Sequence, residues 1–139
     1  MTDELDTLVE AIATMLGTIS GIKVVHTELP SVLTDPPEAW VKMGGGTSEP
    51  YEFGEQGEQH SIEVWIWIGM TKYAENEATL RKLWHSILRA TMADETFGGT
   101  CEGIYSPITY ESGWQIVGGP EYRRLVITIP CALEVVPIG

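Results

Sequence analysis

The 139-residue sequence predicts an α+β fold, a two-layer sandwich with two helices packed on one face of a mainly antiparallel sheet. Three observations carry this expectation. Two segments place apolar residues at the 3.6-residue spacing of an amphipathic helix. Several others alternate apolar and polar residues with the period of two that a half-buried strand requires. Their order along the chain reads α-β-β-β-α-β-β-β. Amphipathic helices and one-sided strands bury their apolar faces against each other as two layers. The other sheet face then meets solvent or a partner.

The first helix is expected from about Asp3 to Leu16, with Leu5, Leu8, Val9, Ile12, Leu16 and Ile19 on one stripe. Asp3 and Asp6 have capping-box spacing, Glu4 suits the helix dipole, and Gly17 and Gly21 end the helix. Ile22 to Thr27 reads as a short strand. Leu29-Pro30 through Asp35-Pro36-Pro37 reads as a loop, because proline has no backbone donor and a fixed φ. Glu38 to Met43 is the second strand. Gly44 to Gly57 shows no core period and is expected to be a long, mobile acidic loop or hairpin tip.

Glu58 to Gly69 is the clearest strand, with Ile62, Val64, Ile66 and Ile68 on one face and Ser61, Glu63, Trp65 and Trp67 on the other. The second helix spans Glu75 to Ala93, with Leu80, Leu83, Trp84, Ile87 and Leu88 as its buried stripe. Gly103–Tyr110 and Gly113–Val117 suggest a hairpin turning at Glu111-Ser112. Tyr122 to Val136 is the closing strand. Pro130 places that strand at an edge there, or bends it at a bulge.

A chain of this length fits one domain, residues 1–139, and can bury a core without metal or disulfide. Its charge is unusual: eight Lys+Arg against 20 Asp+Glu, net −12, with 16 Glu and only four Asp. Such a balance repels nucleic-acid phosphates and anionic membranes. Five tryptophans and five tyrosines argue against disorder. Cys101 and Cys131 are not a disulfide framework, which makes a reducing compartment the default. The acidic start, Met1-Thr2-Asp3-Glu4, lacks the features of a signal peptide, and no apolar run approaches a membrane span.

The sequence carries few signs of catalytic chemistry. The glycine clusters lack P-loop spacing, and no nucleophile elbow occurs. His26, His60 and His85 include no i,i+4 pair, and there is no Cys-x-x-Cys, so zinc spacing is absent. They read as partly buried or surface histidines. A dyad of Cys131 with one of them has nothing local to support it. Glu75 and Glu77 are explained by the helix dipole. Glu63 reads as the cross-strand partner of Lys42 or Arg124. No cofactor or metal is expected.

Trp65 and Trp67 are the sharpest feature. Two readings stand: a second small core, under the 44–57 loop, or a protein–protein surface in which Trp65, Trp67 and Glu63 contact a partner. Stacking on sugar or single-stranded nucleic acid is a third, and the net charge opposes the nucleic acid.

The element order, the segment Asp94-Glu95-Thr96-Phe97-Gly98-Gly99-Thr100 after the second helix, and Pro36-Pro37 leading into Trp40-Val41 resemble tail terminator and tail-completion proteins of long-tailed bacteriophages. Many of these carry Asp-x-Thr-Leu-Gly-Gly at that point, and Phe97 here replaces the usual Leu. The likeness spans nearly the whole chain. In local terms Gly98 and Gly99 supply positive φ and Asp94 caps the turn, so the motif marks a fold.

The resemblance implies a structural virion protein without enzymatic activity. It would form a ring, a hexamer in the family, at the head-proximal end of the tail. There it would end tube polymerisation and present a surface to the head connector. Its partners would be other copies of itself, the tail tube protein and a neck protein. Glu49, Glu52, Glu55 and Glu58 would then line a lumen that DNA traverses without sticking. Two alternatives remain: another neck joining protein, such as a head-closure protein or adaptor, and a non-viral binding module using the Trp65/Trp67 face. An enzyme built on Glu63, a histidine or Cys131 is the third class, and no motif supports it.

Overall fold

The computed structural model describes residues 3–50, 56–70 and 73–135. The elements follow the expected order: α1 (Glu4–Gly17), β1 (Val24–His26), β2 (Glu38–Pro50), β3 (Gln56–Gly69), α2 (Tyr73–Ala93), β4 (Gly103–Ile104), β5 (Thr109–Ile116) and β6 (Glu121–Val135). The fold is α+β, with two helices and a mixed six-stranded sheet ordered β1-β2-β3-β6-β4, β5 also pairing with β6. Only β1 and β2 run parallel; the other pairings are antiparallel.

Helix α1 starts where Asp3 caps it, the carboxylate accepting the Leu5 N–H at 2.8 Å. Its stripe buries Leu8, Ile12 and Leu16 completely. These side chains share one core with Leu80, Leu83 and Ile87 of α2 and with Ala39, Val41, Ile62, Val64, Ile66, Leu125, Ile127 and Ile129 of the sheet. Burying each such aliphatic side chain contributes about 1.5–3 kcal/mol.

Two local expectations are corrected, and a third takes a local form. Gly44 to Pro50 is not loop: β2 continues to Pro50 and β3 begins at Gln56, so only 51–55 of the expected acidic loop lie outside the described residues. The glycines permit this. A bulge between Met43 and Gly45 shifts the register. A Cβ on Gly44 would sit 2.7 Å from the Glu63 carboxylate, so β2 approaches β3 more closely there than a side chain allows.

The expected hairpin at Glu111-Ser112 is also displaced. β5 runs through those residues and pairs with β6, and the turn falls at Gly118-Gly119. Their φ values, 65° and 111°, are the left-handed backbone that glycine tolerates, and Val117 N–H closes the turn on the Pro120 carbonyl at 2.9 Å.

β6 is an interior strand, yet at Pro130 one of its sides is the local edge that the sequence requires. It pairs with β3 along its length, Ser61 opposite Pro130. The Pro130 carbonyl accepts the Tyr105 N–H at 3.2 Å on the other side, where neither β4 nor β5 is in register with it. A residue's N–H and C=O face the same neighbour in an antiparallel strand, so the missing donor also falls in that gap.

The segment after α2 folds as its residues suggest. Asp94 accepts the Gly98 N–H at 2.8 Å and the Thr96 hydroxyl at 3.1 Å, and the Thr96 hydroxyl oxygen accepts the Gly99 N–H at 3.1 Å. Phe97, Gly98 and Gly99 all have positive φ, 48°, 71° and 81°. For Phe97 this is a strained conformation, balanced by burial of its ring in the main core.

Candidate functional site

Residues of the opposite strand parity build the candidate site. Trp40 of β2 stands opposite Trp65 of β3, and Glu38 opposite Trp67, so Trp40, Trp65 and Trp67 leave the sheet on one face. Trp40 and Trp67 stack at 6.3 Å with planes 9° apart, and Trp65 tilts against both at 5.9 and 6.4 Å. Leu33, Val117 and Tyr122 complete a second apolar cluster around them.

This arrangement separates the two tryptophans that the sequence paired. Trp67 is 0% exposed, and its indole N–H donates to the Gln115 side-chain oxygen Oε1 at 3.1 Å. It is a core residue, so the expectation of Trp67 as a surface anchor is corrected. The second core lies under the proline-rich segment and the β5–β6 turn, and takes no residue from 44–50. Leu33 and Val117, far from Trp67 in sequence, supply its cover.

Trp65 is only partly buried. Its N–H donates to Glu63 at 2.8 Å. Two cations converge on its ring, Lys42 Nζ at 5.0 Å and Arg124 Cζ at 4.9 Å from the centroid. Each such contact is worth about 0.5–1 kcal/mol where water has access. Lys42 stands opposite Glu63 in register, as expected of a cross-strand partner, whereas Arg124 stands opposite Trp67. Arg124 also reaches Glu111 at 3.9 Å, and its Nε is buried with no acceptor among the described residues. A groove beside Trp65 is lined by Glu63, Tyr110, Glu111, Arg124 and Thr128.

Of the four predicted lumen carboxylates, two are described and they are not brought together. Glu52 and Glu55 lie outside the described residues. Glu49 stands opposite Gly57 and Glu58 opposite Ser48, so the two described carboxylates leave the hairpin on opposite faces. Glu58 holds the His60 ring at 2.7 Å. Near Glu49, Glu102 and Glu134 share a hydrogen bond. That bond, with some burial and their mutual repulsion, raises the Glu102 carboxyl above its ordinary range.

Two further arrangements escape a reading of the sequence. Glu38, 1% exposed, accepts the Thr34 and Asp35 N–H groups at 2.6 and 2.8 Å and meets His26 Nε2 at 2.7 Å. Burial alone pushes this carboxyl up. The hydrogen bonds from Asp35, His26 and Thr34 outweigh it and hold the group below its ordinary value. Glu38 thereby ties the proline-rich segment to the sheet. The only sequence signal is a carboxylate directly before the apolar run Ala39-Trp40-Val41. Cys101 and Cys131 are both buried, their thiols donating to the Glu95 and Ile129 carbonyls at 3.6 and 3.7 Å; the interaction of the two thiols pulls Cys101 down to about 7 and, with burial, pushes Cys131 up.

Among the described residues, no group of three or more His, Cys, Asp or Glu is placed to hold a metal ion, and no helix is long and apolar enough to cross a membrane. No protein-family model matches the chain, and no curated protein matches it.

Proposed function

We propose that the chain is a structural subunit of a long bacteriophage tail. In this reading it assembles as a ring, a hexamer, at the head-proximal end, where it ends tube polymerisation and offers the attachment surface for the head connector. It works by assembly and has no catalytic role. The observation that carries the reading is the Asp94–Thr100 turn. Its Asp94, Thr96, Gly98 and Gly99 hydrogen-bond as one unit that returns the chain from α2 to the sheet, in the place where the resembling family has its Asp-x-Thr-Leu-Gly-Gly segment.

The finer architecture belongs to the same reading: two layers, with α1 and α2 on one face of the sheet and the tryptophan cluster on the other. The single core shared by both helices and one strand parity supports it. Exposed Glu49 on the long β2–β3 hairpin fits a lumen that DNA crosses without being held. The tail of the virion is then the site of action.

A second reading, a protein-binding module, is favoured by one observation: partly exposed Trp65 with Lys42 and Arg124 over its ring. Polymerisation of the tube protein of the same tail separates the two. A terminator shortens the tubes and marks one end of each. Tubes of unchanged length with bare ends would leave the binding module as the better account.

A further inference from the structure

Among the described residues, the sheet ends in two strand edges that are left open. β1 covers β2 only at Glu38, Ala39 and Trp40, although β2 runs on to Pro50. On the far side, β5 pairs with β6 and, among the described residues, with no other strand. Backbone polar groups on such an edge are a template for another strand.

The direction of each group follows from the ladder. The Pro37 carbonyl faces β1, accepting the Lys23 N–H at 2.9 Å. N–H and C=O groups alternate sides along a strand, so Val41 and Met43 face outward. Beyond the bulge, Gly46 and Ser48 do, since their neighbours Gly45, Thr47 and Glu49 bond to β3. On β5 the closed pair Val117–Pro120 fixes the alternation: Thr109, Glu111 and Gly113 bond to β6, and Tyr110 and Ser112 face outward.

Apart from the bulge at Met43/Gly45, neither edge is strongly protected. Charged side chains are the common device against edge pairing. Residues 43–48 of β2 have none and β5 has one, Glu111, in a chain of 20 acids and eight bases. The same two edges expose Met43 (37%), Tyr110 (52%) and Ile116 (65%). Exposed apolar side chains beside unpaired backbone suit a surface that is covered on assembly, Tyr110 also packing on Trp84 of α2 at 4.6 Å.

The two edges also suit each other. β2 is antiparallel to β3, β3 to β6, and β6 to β5, so β5 runs opposite to β2. When one copy lies beside the next in the same orientation, its β5 meets the neighbour's β2 in the antiparallel sense. From these observations we infer that the occupant of each open edge is a second copy of this chain. Residues 109–112 of one copy pair with residues 43–48 of the next and carry the sheet from subunit to subunit. The contact uses two different surfaces, so it is head-to-tail, the kind of interface that a ring of identical subunits requires. The inference rests on the ring reading and names the seam.

Ser112→Pro and Ser48→Pro test it. Both residues are exposed, and each proline removes an outward N–H that the subunit's own ladder does not use. Light scattering over a concentration series, with circular dichroism as the folding control, gives the readout. The expected result is a multimeric wild type. Each variant keeps the native spectrum but needs about tenfold or more protein to assemble. Should either proline disturb folding, Met43→Lys and Tyr110→Lys place charge on the same two edges.

Wild-type rings with unaffected variants would overturn the seam and leave the ring reading standing. A dimer broken by Ser48→Pro alone would mean that β2 pairs with β2, which also overturns it. A wild type that stays monomeric, alone and with tube protein, would overturn ring and seam together.

Discussion

Replacing Trp67 and Trp65 singly by alanine tests the inner-versus-outer division of the tryptophan face. The Trp67 ring is fully buried, stacked on Trp40 at 6.3 Å and covered by Leu33, Val117 and Tyr122. Its removal opens a cavity that rigid β-strands on both sides cannot close, at a cost of about 3–5 kcal/mol. That is a large share of the roughly 5–15 kcal/mol that holds an ordinary domain together. Trp65 is partly exposed and loses chiefly its contacts with Lys42 and Arg124 and its hydrogen bond to Glu63, about 1–2 kcal/mol together. Urea unfolding followed by circular dichroism at neutral pH measures both. The expected order is Trp67→Ala far below Trp65→Ala, with the latter still cooperatively folded. Equal losses, or a larger loss at Trp65, would refute the division.

Three other predictions concern single groups. Glu38 has a folded pKa below its ordinary value of 4.5, so it adds stability above that pH and loses it as the pH falls through the folded value. Glu38→Gln is therefore less stable than wild type at pH 7, and the gap between their urea midpoints narrows in acid. Asp94→Ala frees the Gly98 N–H and the Thr96 hydroxyl and costs about 1–2 kcal/mol in the same assay. Glu102 has the opposite sign: its carboxyl is raised, so its charged form opposes folding above the ordinary carboxylate range. Glu102→Gln raises the melting temperature at pH 7 by the equivalent of a few tenths of a kcal/mol, exposure keeping the effect small. At about pH 4 the gain disappears.

Much of the fold was legible because it depends on period and on local chemistry. The stripe Leu8, Ile12, Leu16 and the alternation Ile62, Val64, Ile66 each specify an element and its buried face. Asp3 and the Asp94 turn act within four residues, which sequence displays directly. The misreadings arise where meaning depends on a distant partner. Gly44 and Gly46 look like loop residues until β3 is laid beside them. Ser112 looks like a turn until β6 offers its edge to β5. Trp65 and Trp67 are identical by parity, and only Leu33 and Val117, brought in from other segments, bury one and leave the other partly open. Glu38 is ordinary as text and becomes an anchor only when the proline-rich segment folds back over it.

The mass of the purified chain in solution, measured by light scattering alone and with tube protein, tests the ring most directly. The account predicts a closed species of six times the 15.3 kDa subunit mass, seen end-on as a ring by electron microscopy. A strict monomer under both conditions, with no ring on any tube end, would contradict it.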